Sequence, residues 1–167
     1  MSEQSPAPVP QVHPVWSEFE ADGPQVGIVM ALEGDREIME AATNELDERA
    51  ISYEVRVLSA HREPREVAEY ASTAALRGLR VLIAAAGGAA ALPGVIAAYT
   101  ELPVIGVPVK RDELGGMDSL LSMVQMPPGV PVACMAVNGA RNAAIYAAKI
   151  LAQGSLPPPS EKWTITE

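Results

Sequence analysis

Apolar positions along the chain follow two alternating rhythms. "QVGIVMA" (25–31), "RVLIAAA" (80–86), "LPVIGVP" (102–108) and "VPVACMAV" (130–137) are short, almost continuous apolar runs. Runs of this length bounded by turn residues predict strands buried on both faces. "SYEVRVLS" (52–59) alternates apolar and polar positions, as a strand does. Between these runs the spacing turns helical. "DREIMEAATNELDERA" (35–50) has apolar residues at 38, 39, 42 and 46, one face of a helix. "EPREVAEYASTAALRG" (63–78) carries Pro64 early and Gly78 late, which are helix start and stop signals. A small-residue helix is expected at about 88–100, another over "MDSLLSMVQ" (117–125), and a last over "GARNAAIYAAKILAQ" (139–153).

Five β–α units in succession imply a parallel sheet with helices on both faces. Right-handed crossovers make it a doubly wound, three-layer α/β/α sandwich of five strands. Ligands in such sheets bind beyond the carboxyl ends of the strands. The loops that matter therefore start near residues 31, 59, 86, 109 and 137.

Composition narrows the picture. One Phe, two Trp and four Tyr leave Ala, Val, Leu and Ile to fill the core, which favours tight helix-on-sheet layers. The five prolines within residues 1–24 read as an arm, with Trp16 and Phe19 to dock it. "GSLPPPSEKWTITE" (154–167) reads as a tail anchored by Trp163. The α/β domain is expected over 25–153. A net charge of −9 argues against a nucleic-acid-binding face but leaves room for a small anion held by local cations and backbone N–H groups. No apolar run reaches the 18 or more residues of a membrane span, and the N-terminus does not read as a signal peptide, so a cytoplasmic protein is expected. The single cysteine, Cys134, excludes an intrachain disulfide and reads as a small buried apolar residue.

The loops differ in what chemistry they offer. In "MALEGD" (30–35), Asp35 serves as a helix N-cap or a ligand contact, and Glu33 would repel a phosphate. "SAHREP" (59–64) holds a hydroxyl, an imidazole and a guanidinium in four residues. His61 can carry a proton, and Arg62 can clamp a phosphate or carboxylate; a surface His and Arg before a helix is the plain alternative. Gly87 and Gly88 offer backbone N–H groups to a carboxylate, or simply allow close packing of helix on strand. Lys110 and Arg111 place two cations at the rim, in what is otherwise a solvated charged turn with Asp112 and Glu113. The dinucleotide and P-loop glycine patterns are absent, as is any metal-ligand spacing or nucleophile elbow.

"SAHREP", "AAAGGAAALPG", "LPVIGVPV", "GGMDSLLSMVQMPPGVPV" and "GARNAAIYAAKIL" together resemble the class I PurE enzymes, the N5-carboxyaminoimidazole ribonucleotide mutases, over about residues 25–152. The resemblance implies a flavodoxin-like subunit, a homo-octamer with active sites at subunit junctions, and chemistry without metal or organic cofactor. In that chemistry a carbamate on N5 loses CO2, which stays in the pocket and is attacked by C4 of the aminoimidazole. His61 matches the proton carrier, Ser59 and Arg62 the phosphate contacts, and Asp35 an acid that touches ribose. Gly87 and Gly88 match the loop against the carboxylate or CO2.

The departures from the family pattern fall at strand ends. "MGSKSD" has become "MALEGD", "GGAAHLPG" has Ala91 in place of its histidine, and a Gln-Ser pair has become Lys110-Arg111. One residue is missing around Asn138–Gly139. Each lost hydrogen bond to a charged group costs about 1.5–3 kcal/mol. The expectation is a PurE-like decarboxylase or carboxyl-shifting mutase that acts on an altered small carboxylate, one that lacks the 5′-phosphate or presents its anion to Lys110 or Arg111. An ordinary mutase of purine synthesis and a non-catalytic oligomeric binding protein are the alternatives.

Overall fold

The computed structural model describes residues 23–153. Its strands are β1 (Val26–Met30), β2 (Tyr53–Val57), β3 (Val81–Gly87), β4 (Val104–Val109) and β5 (Ala133–Cys134). Its helices are α1 (Arg36–Glu48), α2 (Pro64–Thr73), α3 (Leu92–Ala98), α4 (Met117–Val124) and α5 (Ala140–Ala152). The strands form one sheet, every pair parallel, in the order β2-β1-β3-β4-β5. This is the doubly wound three-layer sandwich that the alternating pattern predicts.

Register explains the two cores. Ile28 pairs with Val55 on one side and Ile83 on the other, and Ile83 pairs with Ile105. Successive strand residues point to opposite faces. Ile28, Ile83 and Ile105 therefore meet Met39 and Leu46 of α1 and Ala143 and Ala147 of α5. Val29, Leu82 and Ala84 meet Val67 and Ala71 of α2, Ile96 of α3 and Met123 of α4. Both faces of β3 are buried, as its unbroken apolar run requires. Each fully buried aliphatic side chain contributes about 1.5–3 kcal/mol, and truncating Ile83 to Ala is expected to cost about 2–5 kcal/mol.

Three expected elements change on contact with the rest of the fold. The strand expected over 130–137 pairs only at Ala133–Cys134. It lies at the sheet edge, and Pro131 has no N–H to give to a ladder. Beyond it only Met135 N–H to the Gly106 carbonyl (2.9 Å) and Asn138 N–H to the Pro108 carbonyl (2.8 Å) continue the contact with β4. Helix α3 starts at Leu92 rather than 88, because Gly88 adopts a left-handed φ of 68° and Pro93 sets the first turn. The helix expected over 63–78 gives way to a 3-10 turn at Ala75–Arg77 before Gly78.

The arm up to residue 22, with Trp16 and Phe19, and the tail after residue 153, with Trp163, lie outside the described residues. Among the described residues no helix is long and apolar enough to cross a membrane. Cys134 is half-buried, and burial raises its thiol above the ordinary value.

Candidate active site

The parallel sheet delivers all its strand-to-helix loops to one rim. The turn after β2 is organised around Ser59, which is buried. Its carbonyl accepts from the N–H groups of Arg62 (3.2 Å) and Glu63 (2.7 Å). Its own N–H donates to Glu63 Oε2 at 2.9 Å, and its Oγ accepts from Arg62 Nε at 3.3 Å. Pro64 then opens α2. The result is a tight turn, Ala60–Arg62, with His61 exposed within it. Glu63 was not foreseen; its carboxylate holds the turn closed, and its position four residues after Ser59 is the only sequence signal for it.

Ala60 and Pro64, on either side of His61, form part of the wall of a cavity of about 490 Å³. Ala90, Ala91 and Gly94 of the glycine-rich segment and Met126 after α4 also line it. The turn that carries His61 and the loop that follows β3 thus border one space, with Ala91 in its wall. A second cavity of about 360 Å³ lies at the other end of β4, among Leu102, Pro103, Val130, Tyr146 and Ile150. The imidazole, the glycine loop and the rim cations all lie at the carboxyl ends of the strands, so the site belongs there.

The glycine loop differs from expectation. Gly88 N–H is not bare: it donates to Ser119 Oγ at 2.9 Å, and Ser119 Oγ donates to the Val109 carbonyl at 2.8 Å. Ser119 is wholly buried near the start of α4 and couples the loop after β3 to the end of β4. "DSLL" contains it, but nothing local marks a serine that bridges two strand ends. The loop is also not a helix start, since α3 begins four residues later.

Asp35 and Arg111 are brought together from 76 positions apart. Asp35 occupies the position before α1 but its side chain makes no cap; it is wholly buried, and Oδ1 accepts from Arg111 Nη2 at 2.6 Å. Arg111 lies so close over Gly87 that a Cβ there would overlap its guanidinium. Gly87 is therefore glycine to seat Arg111. Lys110 by contrast is exposed, and its backbone N–H donates to Asn138 Oδ1 at 2.9 Å. Asn138 itself takes a left-handed φ of 59°, which asparagine tolerates, in the shortened turn before α5. Asp112 and Glu113 are exposed.

The first loop also reads differently in three dimensions. Glu33 accepts two hydrogen bonds from Arg36, the second at 3.1 Å, and this partner holds its carboxyl below the usual range. Glu33 is thus a neutralised, outward-facing acid, and the repulsion expected of it is largely cancelled.

A family model described as AIR carboxylase matches residues 25–157. The chain belongs to the AIR carboxylase family. An N5-carboxyaminoimidazole ribonucleotide mutase of Pyrococcus abyssi is 55% identical over 128 residues, covering 77% of this chain and 74% of the relative. A mutase of the same name from Thermotoga maritima is 56% identical, covering 77% and 75%. The crystal structure of Treponema denticola PurE superposes with a TM-score of 0.69 at 29% identity, covering 77% of this chain and 80% of that one. Within the AIR carboxylase family the five-stranded sandwich is thus the shared fold, and the chain is an enzyme of the decarboxylating, carboxyl-shifting kind. These relatives carry the name of the ribonucleotide mutase, the ordinary alternative of the sequence reading.

Proposed function

We propose that the protein is an N5-carboxyaminoimidazole ribonucleotide mutase. The observation that carries this is the placement of His61: an exposed imidazole in a turn fixed by Ser59, beside a cavity that Ala90, Ala91 and Gly94 also line. The name that those relatives bear supplies the substrate. The carbamate C–N bond at N5 breaks, CO2 departs, and N5 takes a proton. C4 of the aminoimidazole then forms the new C–C bond to the CO2, and its hydrogen leaves as a proton. His61 gives the first proton and receives the second, so the isomerisation balances with no co-reactant. An apolar wall suits this sequence, because a pocket that strips water from a carboxylate favours loss of CO2 and keeps it from escaping.

Ser59 and Arg62 are assigned to the phosphate. The Ser59 hydroxyl is already oriented by Arg62 Nε, and Arg62 makes no ion pair among the described residues. Gly87, Gly88 and Ala91 are assigned to the carboxylate end, Asp35 to sugar hydroxyls, and Lys110 to an anion at the rim. Self-association as a homo-octamer belongs to the same reading. Leu114, Met117, Leu121 and Val124 expose an apolar face along α4 and the turn before it, which supports burial against other copies. A cytoplasmic location goes with this pathway.

The test supplies N5-carboxyaminoimidazole ribonucleotide and its C4-carboxylated isomer, and follows ultraviolet absorbance. Interconversion of the two, with restored growth of a purine-requiring strain that lacks its mutase, is the expected result. Tight binding of both without turnover would sink the proposal in favour of the non-catalytic oligomeric binding protein, and neither binding nor turnover would return the altered-substrate reading. Light scattering of the full chain checks the octamer.

A further inference from the structure

The proposed reaction does not account for the route Arg111 takes to reach Asp35. Asp35 follows β1, whereas Arg111 follows β4, and β3 lies between them. Neighbouring strands are about 4.8 Å apart, so the pair together bridges two strand spacings, with the Arg111 guanidinium seated over Gly87 on the strand between. A serine at 111 could not make that span. The chain connections leave the sheet in opposite directions on the two sides of the β1–β3 pair. The crevice that this reversal opens at the carboxyl ends is where doubly wound sheets hold ligands. The Arg111–Asp35 pair lies across it.

Two further observations bear on what the pair does. Asp35 Oδ2 is buried and has no hydrogen-bond donor among the described residues, although an ionised carboxylate accepts on both oxygens. Asp35 is 0% exposed while the Arg111 side chain is 29% exposed, so Arg111 meets solvent and Asp35 lies behind it. The backbone at this point is held, by Lys110 N–H on Asn138 Oδ1 and by Gly115 N–H on the Arg111 carbonyl. With the backbone tied at these points, a swing of the Arg111 side chain is enough to uncover Asp35.

The geometry points to Arg111 as a latch that determines which ligands reach Asp35. Seated on Gly87, it closes the crevice and occupies Oδ1. Swung outward, it frees both carboxylate oxygens for a ligand with two neighbouring hydroxyls, such as a ribose. Arg111 is thus a specificity-determining residue that competes with substrate, not a cation that binds it. This rests on the reading of the crevice as the sugar subsite, and not on the reaction carried out there.

Titration calorimetry of the full chain with ribose 5-phosphate tests it. Arg111→Ser and Arg111→Gln are each expected to bind about fivefold more tightly than the unsubstituted protein, since the ligand no longer displaces a partly exposed ion pair. Asp35→Asn is expected to bind more weakly. In turnover, Arg111→Ser lowers KM and leaves kcat within about twofold, a split that loss of scaffold would not give. If the neutral variants do not fold, Arg111→Lys keeps the charge but lacks the guanidinium fork and is expected to tighten binding to a lesser extent. Weaker binding by the Arg111 variants would make the residue an anion clamp, and unchanged binding would make the pair scaffold; either overturns the latch. Absence of ribose 5-phosphate binding by every variant overturns it as well. Tighter binding by Arg111→Ser in a protein that does not turn over the ribonucleotides leaves the latch standing and sinks only the proposed reaction.

Discussion

Asp35 and Glu45 are ten residues apart, one just ahead of α1 and the other within it. Both are buried acids, and both face arginines from later in the chain. Glu45 is fully engaged. Its Oε1 accepts from Arg49 Nε (2.8 Å) and Nη2 (2.6 Å), and its Oε2 accepts from Arg141 Nε (2.7 Å), which fastens α1 to α5. Those bonds, Arg141 first and then Arg49, hold its carboxyl below the ordinary value. Asp35 has one oxygen engaged and one without a donor. Burial does not separate the two acids, and neither does charge pairing. What separates them is whether the hydrogen-bonding capacity is complete: a satisfied acid fastens helices, and a half-satisfied acid at the strand-end crevice has capacity left for a ligand.

If the rim is functional and the helix seam structural, activity and stability respond separately to substitution. His61→Asn is expected to lower kcat at least about a hundredfold, the contribution of a positioned proton carrier. Its melting temperature should match the unsubstituted protein, since His61 is exposed. A kcat within threefold would remove His61 from the chemistry. Asp35→Asn comes next: KM rises about tenfold or more, as hydrogen bonds to a charged group are lost, and steady-state kinetics showing an unchanged KM would place Asp35 with Glu45 as scaffold. Ser119→Ala sits between the two categories. It leaves Gly88 N–H and the Val109 carbonyl without their partner, at a cost of about 1–3 kcal/mol in denaturant titration, and kcat/KM falls with it because the glycine loop loosens.

The smallest effect is the sharpest test of the seam. Glu45→Gln keeps the shape and removes the charge, with kcat and KM unchanged. Because the folded carboxyl is held below 4.5, its stabilisation is complete above that pH and is lost as pH falls through the lowered value. Melting curves of the two proteins should separate above pH 4.5 and converge in acid. A gap that is the same at pH 3 and pH 7 would mean that the arginine bonds add nothing.

The sheet and its helices were legible because their signals are local and repeated: "VLIAAA" buries both faces, and Pro64 and Gly78 bracket a helix and its closing turn. The position of His61 was legible for the same reason, since it stands in a short polar turn at a strand's carboxyl end. Arg36 was legible too, three residues beyond Glu33, yet the acid alone drew the inference of a repelled phosphate. That removes one support of the altered-substrate expectation; the lost hydroxyls of the first loop, Ala91 and Lys110-Arg111 were the others. The Arg111–Asp35 pair and the Ser119 bridge were not legible. They join residues 76 and 31 positions apart, and only the strand order brings them together. The edge strand was overread because "VPVACMAV" looks apolar throughout, while a proline and a free edge limit what its backbone can pair.

Ser119 also bears on how such a loop could be moved or redesigned. Its hydroxyl has one hydrogen, committed to the Val109 carbonyl, so a lone pair is left facing Gly88. The segment from Ala84 to Ala91 has no polar side chain with which to set its own shape. It takes its shape from another helix. A graft of the glycine segment alone into a new host would carry the letters without the conformation; the smallest transplantable piece is the segment together with the end of β4 and the first turn of α4.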